Sequence, residues 1–221
     1  MLFHAVALAI AAQSAPAVPE VPASPQAAVQ ANRIAHPGER VTVTVPASAS
    51  HLGSERFNLY GVADAEVHLF VEPDADGGMR RLWWVQFESY LPSNDHRYDY
   101  ADGNRPIELG GVRTWLLAGP RSTAGPTRPG SDREHVFGIL QRAGIPIPTE
   151  VMNVRLVQIL DDPAGTGQGR RELMIIYSEP LAPTGKALAD LTTDGKPNDQ
   201  WQAMEKALIE RATGSVSITR N

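Results

Sequence analysis

The 221-residue chain contains no cysteine. That excludes a disulfide framework, a thiolate metal site, a cysteine nucleophile and a lipid anchor on a cleavage-site cysteine. Lysine is scarce as well: Lys186, Lys196 and Lys206 are the only ones, and every other basic side chain is arginine. With a net charge of −5 and no basic run, a nucleic-acid or anionic-membrane partner is disfavoured. No apolar run reaches the roughly 20 residues that cross a bilayer, so no transmembrane segment is expected in the mature chain. The usual catalytic signatures are missing too: no Gly-x-Ser-x-Gly, no His-Glu-x-x-His and no Walker lysine. Gly165-Thr-Gly-Gln-Gly169 has the look of a phosphate loop, but a strand rather than a helix follows it. No helix N-terminus would meet a phosphate there, and it reads as a hairpin turn.

What is present begins with an apolar N-terminus. Residues 1–17 have the form of a secretory signal peptide, with Ala5–Ala12 as its apolar stretch and small residues for cleavage after Ser14 or Ala17. They depart from that form in having no basic residue before Arg33. Export to the periplasm or the medium is the expectation. Residues 18–38 are rich in Ala, Pro and Gln, the composition of an extended linker. Residues 39–221 are then expected to form a single α+β domain.

Within it, Arg40–Val45, Arg56–Gly61, Ala65–Glu72 and Arg80–Leu91 read as strands from their two-residue alternation, as do two segments between Ile107 and Ala118. Glu150–Asp161 and Arg170–Ser178 form a second long hairpin, and Ser215–Thr219 a last short strand. Ser131-Asp-Arg-Glu134 is a capping box opening a helix that stops at Gly144. Asn198 caps a second helix that runs to about Ala212. The strands come as hairpins rather than βαβ units, so the fold class is α+β, a mainly antiparallel sheet with two helices packed on one side of it. The hairpins 65–91 and 150–178 share a loose pattern compatible with a duplicated ββ…α unit.

The residues that invite chemistry lie on the first of these hairpins. If the apolar rows Val67/Leu69/Val71 and Trp83/Val85/Phe87 share a face, odd residues pair with odd. Glu66, His68, Trp84, Gln86, Glu88 and Tyr90 then form one mixed face, either a ligand-binding wall or an acid/base pair of His with carboxylate. The alternative is a solvated sheet face. In the loop Ser93–Arg105, Asp95, Asp99, Asp102 and Asn104 could offer oxygens to calcium, although their spacing is not that of an EF-hand. His96, Tyr98 and Tyr100 could instead close over the sheet. Arg113, Arg121, Arg128 and Arg133 gather around a Pro/Gly-rich loop and could receive an anion. His51 and His135 read as surface residues. No metal and no cofactor is expected. The function expected is a non-catalytic exported binding or accessory protein for a small molecule or cell-envelope component; the alternative is a hydrolase using Glu88 with His68 or His96.

Overall fold

The computed structural model describes residues 24–220. The expected signal peptide and the first six residues of the expected linker lie outside the described residues. The chain opens with β1 (Ala28–Gln30), β2 (Arg33–His36) and β3 (Val41–Thr44). Then come the long strands β4 (Ser50–Leu59), β5 (Ala63–Pro73) and β6 (Met79–Tyr90), the short β7 (Tyr98–Asp99), and β8 (Arg105–Leu109) with β9 (Val112–Ser122). Helix α1 (Asp132–Arg142) leads to β10 (Glu150–Ile159), β11 (Gln168–Gly169) and β12 (Arg171–Pro180). The single-turn α2 (Leu188–Leu191), β13 (Thr192–Thr193), β14 (Lys196–Pro197), α3 (Asp199–Gly214) and β15 (Ser217–Arg220) complete it. This is an α+β fold dominated by antiparallel sheet.

Seven strands form the main sheet in the order β4-β5-β6-β12-β10-β9-β8, and β1-β2-β3-β15 form a smaller one. Residues 28–36, expected as linker, are therefore a hairpin of the smaller sheet. The prolines explain it: they stop at Pro25 and resume at Pro37, leaving a proline-free stretch whose Ile34 is fully buried. The two look-alike hairpins lie side by side, with β6 paired to β12 through the centre of the sheet.

Both faces of the main sheet are covered. On the first, Trp83, Val85, Phe87, Ile175 and Tyr177 pack under the smaller sheet and α3, which contributes Trp201, Leu208 and Ala212. On the second, Val67, Leu69, Trp84 and Val157 pack under α1, which contributes Val136, Ile139 and Leu140. The two long helices thus sit on opposite faces, not on one. Each buried aromatic or aliphatic side chain is worth roughly 1.5–3 kcal/mol over its exposed state, so neither layer is dispensable. α1 is capped by Ser131 Oγ, which accepts from the Glu134 amide at 3.2 Å. Glu134 closes the cap one residue earlier than a capping box would, accepting from the Gly130 amide at 2.8 Å.

The register of β5 on β6 departs from the sequence expectation. At the hairpin tip Pro73 pairs with Met79, odd with odd, but a bulge follows and Glu72 pairs with Arg81. One extra residue on one strand flips every later pair. Glu66 therefore stands opposite Phe87, and His68 opposite Val85. The assumption that apolar rows must share a face fails because both faces are apolar and buried.

Candidate functional site

The six expected site residues are split by that register. Glu66 and His68 lie on the first face; Trp84, Gln86, Glu88 and Tyr90 lie on the second. Glu88 and His68 are not brought together, so the acid/base pair that they would form does not exist. His96, the other partner expected for Glu88, lies with its ring 5.7 Å from that of Tyr90.

The second face holds a chain of polar groups in a dry interior. Trp84 Nε1 donates to Gln86 Oε1 at 2.9 Å, and Gln86 Nε2 to Glu88 Oε2 at 2.8 Å. Tyr98 donates its hydroxyl to Glu88 Oε1 at 2.5 Å. Directly opposite Glu88 in the ladder stands Glu172 of β12, 2 % exposed, hydrogen-bonded to Tyr100. Two carboxylates facing each other away from water cannot both ionise cheaply. Burial, with the charge of Glu88 adding to it, pushes Glu172 up to about 8. Burial also raises Glu88, but the Tyr98 and Gln86 donors pull it back. Of the two, Glu172 is the one that holds its proton more strongly. Tyr98 and Tyr100 do close over this face. Pairing of β7 with β11 fixes them, and so does Arg170, whose guanidinium donates to the carbonyls of Leu91 and Asn94 at 2.9 Å and of His96 at 3.0 Å. The Gly165–Gly169 segment is the turn into this docking strand; at Gly167, φ is +86° and a Cβ would lie 2.7 Å from the Trp115 ring.

Beside this network, between α1 and the sheet, is a cavity of about 300 Å³. Trp84, Val136, Phe137, Leu140, Ile147 and Ile176 form its apolar wall. Asn153, Ser178, Arg121 and Arg133 supply polar groups. Asn153 Oδ1 is buried with no hydrogen-bond partner. Of the four arginines expected to gather, two meet here. Arg128 stacks on Tyr60 at 4.2 Å, and Arg113 reaches the Gly165 carbonyl at the other end of β9. Among the described residues neither Arg121 nor Arg133 pairs with a carboxylate; Arg133 instead donates to the Thr123 carbonyl and lies 4.7 Å over the Phe137 ring.

The first face carries a second polar row where β4 and β5 meet. Ser54 Oγ is 2.6 Å from His68 Nδ1, and His68 Nε2 is 2.9 Å from Glu66 Oε1. Glu66 also accepts from the amides of Gln26 at 2.5 Å and Ala27 at 2.8 Å. Burial alone would raise Glu66, yet the hydrogen bonds from His68 and the two amides outweigh it and hold it below the ordinary value. His51, brought onto the same face by a bulge at Leu52, sets Nε2 2.9 Å from Ser54 Oγ. Next to this row a polar cleft of about 190 Å³ is lined by His36, Arg56, Asp64 and Glu66. Burial lowers His36, partly offset by Glu66.

Among the described residues no group of three or more His, Asp or Glu side chains is arranged to hold a metal. In the loop considered for calcium, Asn104 Oδ1 accepts from Arg155 and Asp99 Oδ2 from Gln168. His51 and His135 both have partners, His135 Nδ1 lying 2.7 Å from Glu55 Oε2 and its ring stacking on Phe57. No helix among the described residues is long and apolar enough to cross a membrane.

Compared with family models, curated proteins and solved structures, the chain matches none.

The residues missed in sequence are Ser54, Glu172 and Asn153. Ser54 precedes the strand expected from Arg56, and Gly53 gives it the look of a loop. Glu172 did carry a signal: it is the acidic member of the row Glu172/Met174/Ile176, which is otherwise apolar. Asn153 carried less of a signal, since its row Val151/Asn153/Arg155/Val157/Ile159 already holds an arginine.

Proposed function

We propose that this chain is an exported protein whose α1 cavity binds a small apolar ligand with an acidic head. The observation that carries the reading is the cavity between α1 and the sheet. Its wall is aromatic and aliphatic, its polar groups are few and convergent, and its volume suits a ligand at the small end of the range for such sites. Arg121 and Arg133, free of carboxylate partners, give an anion two guanidinium groups, and the orphaned Asn153 Oδ1 offers an acceptor to a protonated or hydroxylated head. Export rests on the N-terminal sequence. A cell-envelope component or lipid-derived acid would meet these requirements.

Thermal melting with octanoate tests the reading, because a ligand that binds only the folded state raises the midpoint. Octanoate should raise it in a saturable way, quench Trp84 fluorescence, and lose both effects when Ile147→Trp fills the cavity. Octylamine should do neither. If octanoate, octanol and octylamine all leave the midpoint unchanged, the cavity is a packing defect and the proposal fails.

A further inference from the structure

With a neutral His68 ring, the hydrogen-bond chain on the first face runs in one direction. Glu66 is ionised and accepts from His68, which places the ring proton on Nε2 and leaves Nδ1 a bare acceptor. Ser54, 2.6 Å away, must then donate its hydroxyl proton to Nδ1. That leaves the Ser54 oxygen to accept from His51, whose Nε2 carries its proton. The sequence of donors is His51 to Ser54 to His68 to Glu66, and the amides of Gln26 and Ala27 anchor its far end. A serine, a base oriented by a carboxylate, and a further N–H beside the serine oxygen are the parts of a nucleophilic acyl-transfer site.

From this geometry we propose that Ser54 is an activated nucleophile, with His68 as its general base, Glu66 as the positioning residue and short-chain carboxylic esters as the substrate class. Access is available: Ser54 is half-exposed and His51 exposed on β4, the edge strand of the main sheet, while His68 and Glu66 are buried behind them. In the first step Ser54 Oγ bonds to the ester carbonyl carbon while its proton passes to His68 Nδ1. The carbon–oxygen bond to the leaving group then breaks, and His68 returns that proton to the departing alkoxide, giving an alcohol and an acyl-serine. Water attacks the acyl-serine in the same way, with His68 taking its proton and returning it to Ser54 Oγ, and the carboxylic acid leaves. His51 Nε2–H is placed to donate to the oxyanion. A single such donor predicts slow turnover confined to activated esters. The site does not involve the α1 cavity and is independent of the binding proposed there.

The test uses the full chain and a fluorophosphonate probe, with the adduct located by peptide mass mapping. The expected result is one adduct on Ser54, formed with a burst of p-nitrophenol from p-nitrophenyl acetate and absent in Ser54→Ala. Glu66→Gln should slow labelling at least 100-fold at neutral pH and shift the midpoint of its pH profile, a change that loss of folding alone would not produce in protein whose circular dichroism is intact. Ser50→Ala, also on β4, should label like the parent. Octanoate binding should be unaffected in Ser54→Ala, so either proposal can fail alone. No adduct on folded wild-type protein, or labelling of Ser54 that Glu66→Gln leaves unchanged, overturns the proposal and makes the chain a structural hydrogen-bond network.

Discussion

On one face of the β5–β6 hairpin Glu66 is held ionised; across the sheet, on β12, Glu172 keeps a proton to about pH 8. The two are almost equally buried, at 3 % and 2 % exposure, so depth does not separate them. What differs is the company. Glu66 receives two backbone amides and an imidazole N–H, while Glu172 faces another carboxylate and has an oxygen with no hydrogen-bond partner. Donors decide the charge of a buried acid. The contrast bears on the Ser54 proposal: an ionised acid such as Glu66 can orient a base, whereas Glu172, holding its proton under a tyrosine cover, serves to seal a polar gap in a core.

The sharpest way to break the second face is to remove its cover. Tyr98→Ala deletes a buried ring stacked on Tyr90 at 4.4 Å and strips Glu88 of its hydroxyl donor. We expect a loss of about 3–5 kcal/mol, read as a lower urea midpoint. Tyr98→Phe keeps the ring and isolates the donor; its cost should be about 1–3 kcal/mol.

The opposite ionisation states give opposite pH dependences. Glu172 releases its proton near 4.5 in the unfolded chain and near 8 in the fold. Across that window the folded state binds the extra proton, so stability is full at the acid end and falls as the pH rises, by on the order of a few kcal/mol. Glu172→Gln should flatten this alkaline limb in melting curves collected from pH 5 to 9. Glu66 has the reverse sign. Its folded value lies below 4.5, so its contribution is present above about pH 4.5 and is lost as the pH falls through the folded value. Glu66→Gln should cost about 1–2 kcal/mol near pH 7 and weaken the acid limb. If both variants changed the same limb, the contrast between the faces would be wrong.

The elements were legible in the sequence because alternation, caps and turn residues are local. Arg40–Val45, the 65–91 hairpin, Ser131 and Asn198 all stand close to their expected places. The site was not legible, because it depends on register. A single extra residue near Arg80 moved Glu66 and His68 to the opposite face from Glu88, and a second bulge at Leu52 brought His51 to Ser54. Bulges of this kind have no reliable local signature in a strand whose two faces are both apolar. The linker fared similarly: Ala/Pro composition hid a hairpin whose only strong core residue is Ile34.

The smallest expected effect falls at the open end of the first face. His51 is exposed, yet partial burial of its ring lowers it, so it is neutral where Ser54 needs a donor. Because water can replace an exposed donor at almost no cost, His51→Ala should change stability by less than about 0.5 kcal/mol. Its ring also lies 4.9 Å from that of Phe70, and losing that contact sets the upper part of the range. Urea titration of His51→Ala beside Glu66→Gln therefore separates the two ends of one hydrogen-bond chain. A cost at His51 as large as that at Glu66 would mean that the chain is structural along its whole length rather than anchored at the buried end and open at the other.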